Sequence, residues 1–109
     1  MTTSTHAEHQ AKAYMEALRD DRWQQLRRRI FLRDGHRCRH CGGQSGLAVH
    51  HRQYHILPSG DWQKPWCYAQ HLLVTLCEAC HKTGHQHHRI PVFQLPANTL
   101  QPAVAICTQ

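Results

Sequence analysis

Residues 72–88 read LLVTLCEACHKTGHQHH, and this stretch decides the fold because it joins a strand pattern to a helix pattern through two cysteines. The apolar run 72–76 is typical of a short, largely buried strand. Cys77 and Cys80 form a Cys-x-x-Cys pair, which bends two thiolates toward one ion. From Cys77 onward the sequence predicts a short helix, which Pro91 would end because proline cannot continue a helix.

The two cysteines of this stretch have a matching pair earlier in the chain. Cys38 and Cys41 form a second Cys-x-x-Cys turn, and 35 residues separate the two pairs. Four thiolates complete a tetrahedral set that suits a structural Zn2+ ion, because thiolates are soft ligands and a structural ion needs no open position. The alternative is that the thiols are free or joined in disulfides, and Cys67 and Cys107 have no comparable pairing in the sequence.

The composition of the chain explains why a metal ion is expected. The chain has 109 residues, of which 40% are hydrophobic, so it can build one small core that is marginal without a metal or disulfides. It contains no apolar run of about 18 residues, and its start is polar where a secretory signal would be apolar. We therefore expect a cytoplasmic protein with no membrane partner, in which paired cysteines bind metal.

The segment around the first cysteine pair is rich in arginine. Residues 19–40 contain eight arginines and only three aspartates, within a chain whose formal charge is +6. This is the electrostatic footprint of a protein that binds a polyanion, although a solvated helix face would have the same composition.

Residues 5–33 predict a helical segment, because apolar residues recur along them at spacings of three to five. Asp20 and Asp21 are expected to divide this segment into two helices, since aspartate favours caps over helix interiors. Gly35 is expected to end the second helix. The apolar stripe consists of Met15, Leu18, Trp23, Leu26 and Ile30.

Between the two cysteine pairs the sequence predicts two strands and a loop. Residues 47–54, LAVHHRQY, read as a short strand, and the turn-forming residues of 57–68 mark a loop before the strand at 72–76. Residues 90–109 contain three prolines and are predicted to form an extended tail.

Four histidines lie close to the cysteines in sequence. His50 and His51 are adjacent on the first predicted strand, and His81 directly follows the last cysteine, with His85 four residues further on. Residues four apart share one face of a helix, so His81 and His85 can bind the same ion. Two imidazoles from the helix and one from the strand make a three-ligand site with open positions, which is typical of a catalytic metal.

These residues together resemble the HNH endonuclease family. The shared series is Cys38-x-x-Cys41, Leu47-Ala48-Val49-His50-His51, Pro65-Trp66, His71-Leu72 and Leu76-Cys77-x-x-Cys80-His81. The resemblance implies a small α+β fold with a ββα-metal (His-Me finger) core, an N-terminal helical extension and two zinc knuckles. The corresponding boundaries are 1–22 for the helical extension, 23–89 for the nuclease domain and 90–109 for the tail.

The resemblance also implies a role for each histidine. His51 matches the general base, while His50, His81 and His85 match ligands of one divalent cation, which would be Mg2+, Mn2+, Ni2+ or Zn2+. His71 stands at the central position, usually asparagine, which braces the loop between the strands through hydrogen bonds. Neighbours on a regular strand point to opposite faces, so His50 and His51 can serve one site only if a bulge or a strand end turns one of them.

The function expected from the resemblance is metal-dependent hydrolysis of DNA phosphodiester bonds, leaving 5′-phosphate and 3′-hydroxyl ends. The alternative from a different class is a zinc-ribbon module that binds nucleic acid without catalysis. The form of the DNA, its sequence, the oligomeric state and membership of a larger phage or restriction assembly are left open. The candidates for contacts with nucleic acid are Arg27, Arg28, Arg37, Arg52 and Arg89.

Overall fold

The computed structural model describes residues 4–87 and 89–97, with the side chains of residues 4–10 left out of the description. These residues form a small α+β structure with three helices and two two-stranded sheets. The elements are α1 (Ser4–Ala17), α2 (Asp21–Arg33), β1 (Leu47–His51), β2 (Tyr54–Ile56), a 3-10 turn (Gln70–Leu72), β3 (Leu73–Cys77), α3 (Glu78–His87) and β4 (Val92–Gln94).

The predicted break in the N-terminal helical segment is confirmed. Asp20 is extended and forms the N-cap of α2, where its carboxylate accepts a hydrogen bond of 2.8 Å from the backbone N–H of Arg22. A carboxylate at this position satisfies an amide that has no partner inside the helix. At the other end, Gly35 has a φ of 71°, the left-handed conformation that glycine adopts without strain.

The main sheet pairs β1 with β3 in antiparallel register, from Leu47 opposite Cys77 to His51 opposite Leu73. The pairing is unbroken along all five residues of β1, so the bulge that would turn His50 or His51 is absent from this strand. Side chains therefore alternate between the two faces of the sheet. The face with Val49 and Leu73 packs on α2, and the face with His50 lies beside α3.

The hydrophobic core lies between α2 and the main sheet. Trp23, Leu26 and Ile30 of α2 are buried there, as the apolar stripe predicts, and Trp66 joins them. Leu18 packs against this cluster, but Met15, the first residue of the predicted apolar stripe, is 64% exposed. Met15 lies on α1, before the cap at Asp20, so it belongs to a different helix from Trp23, Leu26 and Ile30.

Asp34, the C-cap of α2, fastens the helix to the sheet. Its buried carboxylate accepts hydrogen bonds from the Arg33 guanidinium at 2.8 Å and from the backbone N–H of Thr75 in β3 at 2.9 Å. Burial raises the pKa of Asp34, but these hydrogen bonds outweigh it and lower the pKa to about 2. The hydrogen bonds stabilise the buried Asp34 carboxylate, and removing the donors would leave a buried charge unpaired at a large cost in free energy.

The predicted extended tail pairs with the body in its described part. β4 runs parallel to β2, with Tyr54 opposite Val92, and Leu95 behind it is buried. At the other end of the chain, Tyr14 of α1 makes an edge-on ring contact with Tyr54. Residues 98–109 of the tail lie outside the described residues, and the predicted boundaries at 22/23 and 89/90 stay predictions.

None of the described helices combines the length and the apolar character that crossing a lipid bilayer requires.

Candidate metal centres

The four predicted cysteines come together at the start of α3. The sulfur atoms of Cys38, Cys41, Cys77 and Cys80 all lie within 4.8 Å of one another, and those of Cys41 and Cys77 are 3.7 Å apart. A tetrahedral Zn2+ ion with Zn–S bonds of about 2.3 Å separates its sulfur ligands by about 3.8 Å. The donor set and its spacing therefore fit a structural zinc ion, and the predicted ligand set is confirmed as a metal-binding cluster.

Backbone amides surround the sulfur atoms of this cysteine cluster. The N–H groups of His40 and Cys41 donate to the sulfur of Cys38, and the N–H of Cys80 donates to that of Cys77, each at 3.4 Å. Burial raises the pKa of Cys38, but the backbone hydrogen bonds outweigh it and lower the pKa to about 6. The backbone is thus arranged to stabilise the thiolate, which is the form that binds metal.

Three of the four predicted histidines form a second cluster, which begins on α3 at the residue after Cys80. His81 and His85 lie one helical turn apart on α3, with their Nε2 atoms 3.0 Å from each other, and His50 faces both from β1. One ring nitrogen from each residue lies within 4.8 Å of the other two. The cysteine cluster positions this histidine cluster, because Cys80 and His81 are neighbours on the same helix.

Two rings of the histidine cluster, those of His50 and His81, favour the neutral form. Burial, followed by the proximity of His81 and His85, lowers the pKa of His50 to about 4, and burial also lowers the pKa of His81. The buried Nδ1 of His50 has no hydrogen-bond partner among the described residues. Three converging imidazoles with an unpartnered buried nitrogen fit a divalent cation, and the lowered pKa values of His50 and His81 favour the neutral form that binds metal.

His51 lies on the opposite face of β1, so the structure does not bring it into the histidine cluster. Its side chain is 3% exposed and its ring stacks between Trp23 and Tyr54 at centroid distances of 5.1 and 5.2 Å. Its Nε2 lies 3.0 Å from the carbonyl oxygen of Pro65. A carbonyl oxygen only accepts hydrogen bonds, so Nε2 carries the proton and donates it. Burial lowers the pKa of His51 to about 4, although the hydrogen bond to Pro65 acts in the opposite direction.

His71 is exposed in the 3-10 turn, and its side chain makes no hydrogen bond to the described residues. The predicted bracing is instead supplied by Arg33, whose guanidinium donates to the carbonyl oxygens of Gln70 and Leu73 at 2.8 and 2.7 Å. The reason is geometric, since the turn directs the His71 ring to solvent while the long Arg33 side chain reaches the segment from α2. His71 is therefore corrected from a bracing residue to an exposed one.

A cavity of about 630 Å3 lies beside the histidine cluster, between α3 and the sheet. His50 forms part of its wall, and two predicted contact residues, Arg52 and Arg89, line it as well. Neither arginine has a described carboxylate within ion-pairing distance. Cations without internal partners beside an open group of metal ligands are available to an anionic ligand.

The other three predicted contact residues lie elsewhere. Arg27 is half-buried, donates to Gln24 at 2.8 Å and stacks over Phe31, so its guanidinium is used inside the protein. Arg28 is exposed on α2, on the far side of the sheet from the cavity, and Arg37 is exposed near the first cysteine pair, with a long contact of 3.4 Å to the carbonyl of Gly42.

Sequence reasoning did not assign several residues of the cavity, among them Arg39 and His40. These are the two residues between Cys38 and Cys41. The signal was present in the sequence, because a knuckle that shares an ion with Cys77 and Cys80 must hold its intervening residues near the start of α3.

No protein-family model, curated protein or solved structure matches this chain. What the fold and the clusters define is a class, a small α+β protein with a four-cysteine metal-binding cluster.

Proposed function

We propose that the chain is a metal-dependent endonuclease of the HNH type, which hydrolyses DNA phosphodiester bonds and leaves 5′-phosphate and 3′-hydroxyl ends. The observation that carries the proposal is the convergence of His50, His81 and His85 beside a cavity lined by arginines. In this proposal β1, β3 and α3 are the two strands and the helix of a ββα-metal core.

Two ions of different kinds belong to the proposal. The four cysteines would hold a structural Zn2+, and the three histidines would hold one divalent cation. A cation bound there would act as a Lewis acid on the phosphoryl oxygens and the leaving oxygen. An all-imidazole donor set favours Zn2+ or Ni2+ over Mg2+ or Mn2+, because the latter two prefer oxygen ligands.

The general base in this proposal is His51. Donation from its Nε2–H to the Pro65 carbonyl leaves the lone pair on Nδ1, and its lowered pKa keeps the ring neutral. A neutral, oriented imidazole can take the proton of the attacking water while the departing 3′ oxygen is protonated by solvent. The ring is buried, so this role requires that water and substrate reach Nδ1 at the end of β1.

Arg52 and Arg89 would hold the phosphates that flank the scissile bond. Both are exposed, both line the cavity wall that contains His50, and both lack an ion pair with the described residues. Arginine suits this task because its planar guanidinium can donate two parallel hydrogen bonds to a phosphate.

The test is cleavage of supercoiled plasmid by the zinc-loaded chain with Ni2+, Zn2+, Mn2+ or Mg2+ added, followed by end-group analysis. We expect nicking with 5′-phosphate products. His51→Ala should reduce the rate by about 100-fold or more, which is the usual contribution of a general base. His50→Ala should also abolish binding of the second ion. The matched control is His87→Ala, an exposed histidine of α3 outside the cluster, which should cleave like the parent.

A second candidate is a zinc-ribbon module that binds nucleic acid without cutting it, and the burial of the His51 ring favours it. This module would bind DNA with an affinity that falls steeply with salt, because neutralised phosphates release counterions. It would take up one thiolate-bound zinc per chain, whereas the nuclease would take up two ions. Plasmid that stays intact with every ion, together with salt-dependent binding, would reject the nuclease in favour of this module.

A further inference from the structure

The cavity beside the histidine cluster has two kinds of wall. Apolar residues line it from β3, α3 and the segment after α3, including Val74, Leu76 and Ile90. Basic residues line it as well, among them Arg39, Arg52 and Arg89. A volume of about 630 Å3 lies within the range of about 300–1,000 Å3 that is usual for small-molecule sites.

We propose that this cavity receives one unpaired nucleotide of the DNA strand, next to the phosphate that is cut. This inference rests on the proposed DNA substrate, and it deepens it by naming the form of DNA that the chain prefers. The chemistry recognised is a flat, largely apolar base attached to a charged phosphate, whether the base comes from a single strand, a bulge or a duplex position that has opened.

The charge of the cavity wall matches the phosphate. Arg52 and Arg89 have no ion pair with the described residues, and Arg39 has only a long contact of 3.5 Å with the buried Asp34. Guanidinium groups bind phosphate through parallel hydrogen bonds and also stack on bases, so one set of residues can contact both parts of a nucleotide.

The apolar part of the lining favours the base over the backbone. A paired duplex presents phosphates and groove edges to a protein, and little of that surface besides the thymine methyl group gains from contact with Val74, Leu76 or Ile90. The faces of a base do gain, but in a duplex they are covered by stacking, so the nucleotide must leave the stack to enter a cavity of this size. An unpaired nucleotide has already done so.

The position of His50 connects the cavity to the proposed chemistry. His50 is part of the cavity wall and also faces His81 and His85 in the histidine cluster. A nucleotide held in the cavity would therefore contact His50, the one residue that the cavity shares with the histidine cluster among the described residues. The cavity would select the nucleotide, and the cluster would act on the adjoining bond.

Gly84 offers a way to fill the cavity. It lines the wall on α3, and a Cβ added there meets no heavy atom within 4 Å. Gly84→Leu would place a bulky side chain in this space, and Thr83→Leu would fill it from the neighbouring position. Gly84→Ala is the matched control, because it changes helix propensity in the same direction while adding only one methyl group.

The experiment measures equilibrium binding of the zinc-loaded full chain, without added divalent ion, to oligonucleotides that carry 2-aminopurine. The three probes are a single strand, a duplex with a one-nucleotide bulge and a perfect duplex of the same sequence. We expect the first two to bind about tenfold more tightly than the perfect duplex, because a paired base must first leave the stack. Gly84→Leu and Thr83→Leu should reduce this ratio toward one, and Gly84→Ala should keep it.

Equal affinity for all three probes, or a ratio that survives both filling variants in chains with unchanged far-UV circular dichroism, would overturn the inference. The nuclease proposal is read separately, from plasmid cleavage with added ion. Selective binding of unpaired probes without cleavage would support the cavity and reject the nuclease. Cleavage with no preference for unpaired DNA would do the reverse. Failure to bind any probe would overturn the inference, and the plasmid assay would still decide the nuclease proposal.

Discussion

His50 and His51 are identical side chains at adjacent positions of β1, and their surroundings are opposite. His50 lies on the α3 face of the sheet, half-buried, among imidazoles and beside the arginine-lined cavity. His51 lies on the α2 face, stacked between aromatic rings and hydrogen-bonded to a carbonyl oxygen. Strand alternation alone produces this difference. One face of the sheet carries a histidine of the candidate metal cluster, and the other carries a histidine packed in the core.

The largest expected effect is loss of the folded structure, which disrupts both faces of the main sheet. Replacing Cys77 with Ser, or stripping the cysteine-bound ion with a chelator, should abolish cooperative unfolding, because Cys77 ends β3 and a structural zinc ion contributes about 10 kcal/mol or more to folding. Thermal unfolding followed by circular dichroism, with the zinc content measured in parallel, would test this. Recovery on adding Zn2+ to the stripped parent is the control, and an unchanged melting curve without zinc would contradict the prediction.

The second prediction separates the two faces directly. His51→Ala should lower the free energy of unfolding by about 3 kcal/mol, because it removes a ring packed against Trp23, Tyr54 and Tyr68. His50→Ala should cost only about 1 kcal/mol or less, since its ring is half-buried and lies outside the core cluster. Chemical denaturation of the zinc-loaded chains measures both values.

His51→Phe separates packing from chemistry at the same position. The phenyl ring keeps the stacking between Trp23 and Tyr54 but leaves the Pro65 carbonyl without a donor, so we expect a loss of about 1 kcal/mol in stability. DNA cleavage should still fall as far as in His51→Ala. If His51→Phe cleaves DNA like the parent, the ring serves the core only.

A third prediction concerns the connection of the α2 face to the sheet. Asp34→Asn should destabilise the fold by about 1–3 kcal/mol, because the amide cannot accept all the hydrogen bonds from Arg33, Arg39 and Thr75 that the buried carboxylate accepts. Denaturant titration gives the value, with Asp61→Asn at an exposed loop position as the control. Equal stability of Asp34→Asn and the parent would indicate that the aromatic core alone fixes α2.

The smallest effect tests which face of the sheet would contact DNA under the proposed function. Arg52→Gln on the cavity side should weaken binding by a few-fold and reduce the salt dependence by about one phosphate contact. Lys12→Gln, which removes a cation from exposed α1, is the control. A larger loss from Arg28→Gln on α2 than from Arg52→Gln would move the binding surface to the other side of the sheet.

Most residues of the two candidate metal clusters could be predicted, because their spacing is a local property of the sequence. Each Cys-x-x-Cys turn and the four-residue step from His81 to His85 has a defined geometry whatever surrounds it. The helix break at Asp20 was predictable for the same reason, since capping depends on one residue and its neighbours.

What the sequence did not reveal depends on contacts between distant segments. Arg33 donates to the carbonyl oxygens of Gln70 and Leu73, which lie more than 35 residues away in the sequence. No local sequence pattern predicts such a contact. In the sequence, Asp34 is one charged residue within an arginine-rich segment. Its role as a buried acceptor depends on the backbone N–H of Thr75, which lies 41 residues further along the chain. The parallel pairing of β4 with β2 was not predicted either. Strand β4 has only three residues, all exposed, so its sequence shows no alternation of apolar and polar residues.

Helix α3 carries ligands of both clusters and yet contributes no fully buried residue. A helix of ten residues is too short to persist in water without outside contacts. If the histidine cluster binds a second ion, as proposed, a newly made chain would take up the two ions in a fixed order. The cysteines, paired in tight turns, would bind zinc first and fix the start of α3, and only then would His81 and His85 lie side by side. A shortage of zinc alone would then prevent the histidine cluster from forming, even with its proposed ion in excess.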